Sequence, residues 1–391
     1  MAPDFQRESI TGARARVGMP VQKIPFYTLS LRELAETLVN DGFEKFRARQ
    51  IFDGVYAKKI FNPREFPSIP SKLAEYLSER FDFEPAEIVG GRKSDDSTKK
   101  YLFKLSDGNF VECVLLEAPS ADDGKIRKTL CVSTQVGCAC GCRFCASAMR
   151  GFVRNLSACE IVAQALPFVK RTVENGKKEA KFEFENIVVM GMGEPLANFD
   201  NLMAALAVFN APDKFGFGAR RITVSTCGIA DRIEKLAEIG FPYRLAISLH
   251  GATDEVRSRI MPINKKYPLS ALIGAAKKFS AVCGRMITLE YIMIEKVNDT
   301  FLQARELAKI ARELHAHVNL IPYNRVEGLE WKRSPAGRRA AFAKVLDEAG
   351  VSYTLRREKG SGIEAACGQL ALKRKLEDAG AAGGCANKNV G

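Results

Sequence analysis

The sequence predicts an α/β protein built around a largely parallel β-sheet. From residue 129 to 355, short apolar segments typical of strands alternate with amphipathic stretches typical of helices. Glycine-rich and polar segments follow several of these strands, where parallel sheets bind their ligands. The chain has 391 residues, 46% of them hydrophobic, which is enough for a substantial core and for more than one domain. These patterns leave open whether the sheet is doubly wound or forms a full or partial barrel.

The region before the sheet is predicted to be a disordered lead followed by a small helical domain. Residues 1–28 are basic and interrupted by glycine and proline, without sustained periodicity. Ser30 and Glu33 form a capping-box pattern before apolar residues at helical spacing. Further helices are predicted over 46–56 and 71–81. We therefore assign residues 29–82 to a small helical accessory domain. Its basic residues Arg47, Arg49, Lys58 and Lys59 make a polyanion such as RNA the expected contact of this domain.

Residues 83–128 are predicted to form a β-hairpin extension that links the helical domain to the sheet. Residues 100–105 and 110–116 have the composition of two strands, and the Ser-Asp-Gly-Asn run between them is typical of a tight turn. Glu112 lies on the second of these strands.

The main α/β region is predicted to span residues 129–357, followed by a C-terminal segment over 358–391 that contains Cys367 and a glycine- and alanine-rich tail. Each predicted strand of this region precedes a loop and a helical stretch, and the six strands cover residues 130–134, 186–191, 221–225, 244–248, 287–292 and 317–321. The loops after them are expected to meet at one mouth of the sheet.

Three cysteines on one predicted loop, Cys138, Cys142 and Cys145, are spaced Cys-x3-Cys-x2-Cys. Three thiolates on a short loop can hold three irons of a 4Fe-4S cluster and leave the fourth iron open. A structural zinc site would need a second cysteine or histidine pair, and the only histidines are at 250, 315 and 317. Cys140 is an extra thiol inside the first spacing, and we leave it off the metal.

The charge of the chain favours a polyanionic partner. Its 59 Lys and Arg residues against 46 Asp and Glu residues give a formal charge of +13, as in many proteins that bind RNA or DNA. A phosphate-binding surface is predicted around the basic residues Arg47, Arg49, Lys58, Lys59, Arg92, Lys93, Lys99 and Lys100. No charge-free apolar run approaches the roughly 18 residues of a membrane span, so we expect a cytoplasmic protein without membrane segments.

Several motifs beyond the cysteine loop make the chain resemble a known family over residues 29–370. They are CVSTQVGC (131–138), GFVRNL (151–156), VMGMGEP (189–195), ISLH (247–250), PINKKY (262–267) and AACGQL (365–370). With the cysteine spacing, they resemble the radical S-adenosylmethionine (SAM) enzymes. Within that group they are most similar to the RlmN type of the RlmN/Cfr family, which methylates C2 of adenine in 23S ribosomal RNA and transfer RNA.

The resemblance implies a partial (β/α)6 barrel of the radical SAM type, with the helical domain and hairpin attached. It also implies one 4Fe-4S cluster per chain, held by the three cysteines, with its open iron binding SAM. Two SAM molecules are consumed for each methylation. The implied SAM-binding residues, mapped by motif onto this sequence, are Gly193, Glu194, Ser225, Ser248, Leu249, His250 and Asn324.

The resemblance also implies three catalytic residues. Cys367 first takes a methyl group from one SAM, and a radical made from the second SAM activates that methyl group for addition to adenine C2. The RNA is then bonded to Cys367 through a methylene bridge. Glu112 removes the C2 proton, and the Cys131 thiol attacks the sulfur of Cys367, which releases the product and leaves a disulfide that must be reduced.

The implied partners are 23S ribosomal RNA, transfer RNA and an electron donor such as flavodoxin or ferredoxin, and we expect a monomer. Two alternatives remain open. The related Cfr-type enzymes methylate C8 of adenosine, although the run Gly193-Glu194-Pro195 fits the C2 type better. A non-catalytic RNA-binding protein with a structural cluster is less consistent with the joint presence of Cys131, Cys367 and the Gly-Glu segment.

Overall fold

The computed structural model of the protein describes residues 23–119, 124–174, 177–356, 363 and 369–370. Cys367 lies outside these residues, as do 1–22 of the predicted disordered lead and nearly all of the predicted C-terminal segment.

The α-helices fall into two groups. Three precede the main sheet in the chain, and the others lie in the loops and crossovers that follow its strands. They are α1 (Leu31–Asn40), α2 (Phe46–Tyr56), α3 (Ser71–Arg80), α4 (Ala146–Met149), α5 (Ala158–Ala163), α6 (Phe199–Asn210), α7 (Ala230–Glu238), α8 (Asp254–Ile260), α9 (Leu269–Cys283), α10 (Phe301–Glu313) and α11 (Ala336–Glu348). None of the helices in the described ranges is long and apolar enough to cross a membrane.

The strands form one large mixed sheet and three two-stranded sheets. They are β1 (Ile24–Pro25), β2 (Phe81–Asp82), β3 (Ala86–Lys93), β4 (Lys99–Leu105), β5 (Phe110–Pro119), β6 (Ile126–Cys131), β7 (Gln135–Gly137), β8 (Phe152–Asn155), β9 (Val169–Glu174), β10 (Lys177–Phe182), β11 (Asn186–Val189), β12 (Ile222–Thr226), β13 (Arg244–Ser248), β14 (Thr288–Met293), β15 (His317–Pro322) and β16 (Tyr353–Leu355).

Seven strands of the large sheet are parallel, in the spatial order β6-β11-β12-β13-β14-β15-β16. Because this order follows the chain, every crossover moves in the same direction, as in a barrel; a doubly wound sheet reverses direction. The α/β fold and the barrel-like winding implied by the resemblance are therefore confirmed. The six predicted strands are all present, and β16 is a seventh that the sequence analysis missed.

The predicted hairpin extension is larger than expected. Strands β3, β4 and β5 form an antiparallel meander, and β5 pairs antiparallel with β6, so the extension continues the main sheet and is not a separate hairpin. β5 therefore lies directly beside the first parallel strand, which brings its side chains close to that strand's carboxyl end.

The N-terminal helices form where they were predicted, but order begins before residue 29. Ser30 and Glu33 make the predicted capping box at the start of α1. Strand β1 pairs with β2, and the neighbouring Phe26 and Tyr27 are 1% and 0% exposed. Burying each aromatic ring contributes about 2 kcal/mol, so the prediction of disorder for 23–28 is wrong because it overlooked a pairing with residues more than fifty positions away.

The helical region packs against the parallel sheet through one shared core. The rings of Tyr56 and Phe215 lie 5.2 Å apart, centroid to centroid. Lys214 Nζ donates to the carbonyl oxygens of Tyr27 at 2.8 Å and Leu29 at 3.0 Å. The accessory helices are thus held on the segment between α6 and β12. The boundaries proposed for the domains remain predictions.

Candidate active site

The cysteine loop starts from a tight antiparallel pairing between β7 and β8. Gly137 has φ 75°, and a Cβ on it would lie 1.8 Å from the carbonyl oxygen of Gly151. The Cys138 N–H donates to that same oxygen at 3.0 Å. Only glycine permits this conformation and this approach, so the residue before the first cysteine fixes where the loop turns.

The rest of the loop is held by backbone hydrogen bonds. The N–H of Cys145, which precedes α4, donates to the carbonyl of Cys142 at 3.1 Å, and the N–H of Arg143 donates to the carbonyl of Ile260 at 2.9 Å. The side chains of Cys138, Cys142 and Cys145 line one cavity at the carboxyl ends of the parallel strands. Burial raises the pKa of the Cys142 and Cys145 thiols, an effect that a bound metal would oppose.

These three thiols fit a 4Fe-4S cluster by the chemistry of their donor set. They lie on one loop, line one cavity, and no disulfide joins any two of the cysteines in the described residues. A cluster held this way has one iron without a cysteine ligand. The remaining lining residues must then supply whatever contacts a molecule bound at that iron would need.

Gly193 lets the loop after β11 approach the start of the cysteine loop. Its φ is 102°, and a Cβ there would lie 2.6 Å from Gln135 Cβ and 2.8 Å from Gln135 N. The side chain of Gln135 accepts a hydrogen bond from the Glu194 N–H at 2.8 Å. A larger residue at 193 would push the loop away from β7, so the glycine is required for close packing.

Glu194 is a fully buried carboxylate surrounded by neutral donors. Its Oε1 accepts hydrogen bonds from Leu196 N at 3.0 Å and Thr226 Oγ1 at 2.7 Å, and its Oε2 accepts from Cys227 N at 2.7 Å. Burial raises its pKa, although these hydrogen bonds act in the opposite direction. Across the described residues no Lys, Arg or His forms a salt bridge with it. The site therefore presents a buried acceptor that lacks a cation of its own.

Two predicted serines line the cavity at the ends of adjacent strands. Ser225 on β12 and Ser248 on β13 have their Oγ atoms 3.4 Å apart, and Ser225 Oγ also lies 3.4 Å from Glu290 Oε2. Glu290 on β14 lines the same cavity, and burial raises its pKa. The sequence analysis missed Glu290, although a glutamate within the apolar run 287–294 was a usable signal.

His250 lines the cavity as a neutral ring. Its Nδ1 accepts a hydrogen bond from Ile292 N at 3.1 Å, and burial, with a smaller effect from Arg257, lowers its pKa to about 3. Because Nδ1 is an acceptor, the proton resides on Nε2. The ring packs edge-on against Phe144, with centroids 4.8 Å apart. The preceding Leu249 instead packs into the main core.

Asn324 is buried in the loop after β15 but is not among the residues that line the cavity. The C-terminal segment returns to the same region, because Gln369 Nε2 donates to the carbonyl of Arg325 at 2.7 Å and Ser147 Oγ donates to the carbonyl of Leu370 at 2.7 Å. Residues 369–370 therefore lie between the loop after β15 and the start of α4.

Glu112 and Cys131 lie on the neighbouring strands β5 and β6. Cys131, the last residue of β6, pairs with Val114 of β5, two residues from Glu112. Both side chains are buried. Glu112 Oε1 forms an ion pair with Lys100 Nζ at 3.0 Å. The structure thus brings together two of the three residues for which catalytic roles were predicted.

Ser133 connects these strands to the Gly193 loop. Its hydroxyl donates to the carbonyl of Glu112 at 2.6 Å and accepts from the Met192 N–H at 2.8 Å. One side chain therefore joins β5 to the loop that carries Glu194.

Part of the predicted phosphate-binding surface is wrong. Lys59 and Lys100 are buried, Lys100 in its pair with Glu112, so neither faces an external phosphate. Lys58, Arg92 and Lys93 remain exposed. The β9–β10 hairpin, which the sequence analysis did not predict, adds further exposed basic side chains: Lys170, Arg171 and Lys181.

Three more cavity-lining residues escaped the sequence analysis. The sequence pattern assigns Cys140 no metal and gives Thr226 and Cys227 no binding role, yet all three line the cavity beside Glu194. The Sγ atoms of Cys140 and Cys227 are 3.3 Å apart. Their separation along the chain, 87 positions, explains why no local pattern revealed the pair.

Comparison with known proteins agrees with this arrangement. Residues 132–308 match the family described as the radical SAM superfamily. The chain is 52% identical over 360 residues to a protein of Opitutus terrae named probable dual-specificity RNA methyltransferase RlmN 3, covering 91% of this chain and 96% of the relative. A protein of Akkermansia muciniphila named probable dual-specificity RNA methyltransferase RlmN is 45% identical over 360 residues, covering 91% of this chain and 98% of the relative.

A solved structure is also similar. The crystal structure of a radical SAM methyltransferase from Sphaerobacter thermophilus superposes with a TM-score of 0.81 at 40% identity, covering 89% of this chain and 99% of that one.

Proposed function

The chain belongs to the RlmN family of radical SAM RNA methyltransferases, and on that premise we propose that it methylates C2 of adenosine in 23S ribosomal RNA and in transfer RNA. The observation that carries the proposal is the cavity at the carboxyl ends of the strands, where the three loop cysteines meet Glu194, Ser225 and His250. When bound, the 4Fe-4S cluster and SAM would supply the methyl group and the carbon radical that an electron-poor ring carbon requires.

The lining residues are suited to hold SAM. The buried Glu194 carboxylate would pair with its amino group, and the Gly193 backbone would lie against it. Ser225, Ser248 and the Nε2–H of His250 offer hydroxyl and N–H groups to the adenosyl part. We assign Asn324 to binding the ribose or adenine of SAM. We assign Leu249 to supporting, through its backbone, the adenosyl side of the cavity. One cluster per chain and two SAM molecules per methylation belong to the same proposal.

Three residues of the chain would carry the covalent steps. Cys367 accepts a methyl group on its sulfur and, after that group has joined C2 of the adenine, holds the RNA through a methylene bridge. Glu112, placed beside Cys131 by the β5–β6 pairing, takes the C2 proton. The Cys131 thiolate then attacks the Cys367 sulfur and breaks its bond to the methylene carbon, which keeps the electron pair and takes up a proton to become the product methyl group. The resulting disulfide is reduced by two electrons from the electron donor before the next turnover.

RNA would approach over the exposed basic residues of the extension and the β9–β10 hairpin, such as Arg92, Lys93 and Arg171. The adenine must leave its stack to present C2 inside the cavity. We place this activity in the cytoplasm, in a monomer served by an electron donor such as flavodoxin or ferredoxin.

The reaction product provides the direct test. Reconstituted enzyme is incubated with SAM, a reductant and either 23S ribosomal RNA or transfer RNA, and the digested nucleosides are identified by chromatography and mass spectrometry. We expect 2-methyladenosine from both RNAs. Finding 8-methyladenosine would reject C2 as the target, and finding no modified adenosine would reject the methyltransferase assignment.

The Cys131→Ala variant tests the release step. Without the resolving thiol, we expect a covalent complex of protein and RNA that withstands denaturation, seen as a shifted band on a denaturing gel. The matched control is Cys159→Ala, a buried thiol at the start of α5, which should release product normally. Normal yield of free methylated RNA from Cys131→Ala would contradict the assigned role.

A further inference from the structure

A second group of metal-binding side chains lies against the cysteine loop. Cys140 Sγ and Cys227 Sγ are 3.3 Å apart, and together with a carboxylate oxygen of Glu194 they form a set of three atoms that all lie within 4.8 Å of one another. Cys227 follows β12 and is not part of the Cys-x3-Cys-x2-Cys motif. The tertiary structure, and not a local sequence motif, therefore brings these three side chains together.

We propose that Cys140, Cys227 and Glu194 form a binding site for a thiophilic divalent cation such as Zn²⁺, separate from the ligand set of the 4Fe-4S cluster. Two thiolates and one carboxylate are a common donor combination for zinc, with the fourth position left to water or another ligand.

The spacing suits tetrahedral coordination. Zinc–sulfur bonds of about 2.3 Å in a tetrahedral site place two sulfurs roughly 3.8 Å apart, so the observed 3.3 Å needs only a small outward movement. Glu194 Oε1 accepts hydrogen bonds from Leu196 N and Thr226 Oγ1, and Oε2 accepts one from Cys227 N. The Cys227 thiol also hydrogen-bonds to this carboxylate. A cation bound by the Cys227 thiolate would take the place of that thiol proton beside the carboxylate.

The surroundings also balance the charge. A divalent cation with two thiolates and a carboxylate carries a net charge of about −1. Arg257, which is fully buried, donates from Nη2 to the carbonyl oxygen of Cys227 at 2.6 Å and from Nε to that of Leu249 at 3.1 Å. Its guanidinium places a positive charge beside the site, and the complete group would be close to neutral.

Binding at this site would compete with the proposed activity, and this part of the inference rests on the proposed function. The ion would occupy Glu194, the assigned partner of the SAM amino group. All three of its ligands line the cavity shared with the cluster cysteines. Zinc is therefore expected to weaken SAM binding by the cluster-containing enzyme.

The site is tested with Co²⁺, whose bonds to thiolates absorb in the near ultraviolet, on the full-length protein before cluster reconstitution. The variant Cys142→Ala/Cys145→Ala removes two cluster ligands but keeps the proposed site, and we expect it to bind one Co²⁺ with thiolate absorption. Adding Cys227→Ser should lower the affinity by about tenfold or more, and adding Cys140→Ser should do the same. The matched control is Cys283→Ser, a thiol at the end of α9.

The outcomes separate the two claims. If Cys142→Ala/Cys145→Ala abolishes Co²⁺ binding, or if Cys227→Ser and Cys140→Ser leave its affinity unchanged, the proposed site does not exist. SAM binding by reconstituted enzyme is then measured by equilibrium dialysis with and without Zn²⁺. Loss of SAM affinity that Cys227→Ser relieves supports competition, whereas zinc that binds without affecting SAM overturns the competition. Failure of the enzyme to bind SAM even without zinc would contradict the proposed function and leave the Co²⁺ result unaffected.

Discussion

Two buried glutamates on either side of Ser133 are stabilised in opposite ways. Glu112, on the antiparallel extension, has Lys100 Nζ 3.0 Å from its carboxylate. Glu194, in the cavity, is held by backbone N–H groups and a threonine hydroxyl, with no basic side chain paired to it across the described residues. The first carboxylate has a basic partner within the chain, whereas the second has none in the part of the chain that the structure describes.

This difference agrees with the two roles proposed for these carboxylates. A carboxylate that is to accept a proton must already be ionised, and the ammonium group of a paired lysine keeps it ionised. A carboxylate that must recognise a cationic group benefits from being preorganised by neutral donors, because a resident lysine would have to be displaced first. The lysine paired with Glu112, and the lack of a basic partner for Glu194 among the described residues, are thus consistent with the proposed roles in proton transfer and cofactor binding.

The largest expected effect comes from breaking the internal pair. Lys100→Met leaves Glu112 buried without its cation, so we expect the free energy of unfolding to fall by about 3 to 5 kcal/mol, measured by urea denaturation. The double variant Lys100→Met/Glu112→Gln should recover most of that loss. Lys344→Met, in the exposed pair with Glu348 on α11, is the control and should cost less than about 1 kcal/mol. Equal effects at the two lysines would mean that the Lys100 pair is not buried as described.

The cavity glutamate should respond in binding more than in stability. Glu194→Gln removes the charge offered to the SAM amino group, a charge-assisted contact of about 1.5 to 3 kcal/mol, so SAM affinity should fall by roughly 10- to 100-fold. Isothermal titration calorimetry on the reconstituted enzyme measures it, with Glu348→Gln as the surface control. Unchanged SAM affinity would show that Glu194 does not bind SAM, and it would contradict the functional contrast drawn with Glu112.

His250 lines the same cavity as Glu194, and its neutral ring should make the stability of the protein depend on pH. Its folded-state pKa of about 3 lies below the usual 6.5, so below pH 6.5 the unfolded chain binds a proton that the native state does not. The stability it contributes is present above pH 6.5 and is lost as pH falls, by about 2 kcal/mol at pH 5 relative to pH 7.5. In His250→Gln this part of the pH dependence should disappear from the unfolding curves of the cluster-free protein. An identical pH dependence in both proteins would contradict a buried neutral histidine.

The smallest effect concerns the residue between the two glutamates. Ser133→Ala removes one hydrogen bond to the Glu112 carbonyl and one from the Met192 N–H, so we expect a loss of about 1 to 2 kcal/mol. Hydrogen exchange should quicken at the Met192 amide in particular. Ser280→Ala on α9 is the matched control, because its hydroxyl is buried and has no hydrogen-bond partner in the part of the chain that the structure describes. Exchange at Met192 that stays as slow as in the wild type would show that the two regions are not coupled through Ser133.

Local patterns were sufficient to predict much of the fold. β13 was predicted with the bounds Arg244–Ser248 that the structure has, and α2 with the bounds Phe46–Tyr56, because apolar periodicity and flanking turns determine such elements. The short strand β16 was missed since three residues carry little periodic signal. β1 was missed because its stability comes from pairing with β2.

In the candidate site too, features that are local in sequence were predicted, and contacts between distant segments were missed. The cysteine triplet is local in sequence, so its spacing alone predicted that the three thiols would share one cavity. Lys100 was predicted to be a surface residue because nothing in its own neighbourhood shows that Glu112, on the next strand, would pair with it in the interior. Contacts such as Cys140 with Cys227 depend on which loops meet at the end of the sheet, and the chain order of the residues does not encode that directly.

The strand order of the large sheet allows the sheet to form progressively during synthesis. From β3 to β16, each strand of the large sheet pairs with the strand of that sheet that precedes it in the chain, so every strand can add to an existing edge as it leaves the ribosome. No strand of the sheet has to wait for one synthesised later. Cys367 follows all of them, so the cavity can be assembled during translation before its proposed methyl carrier has been synthesised.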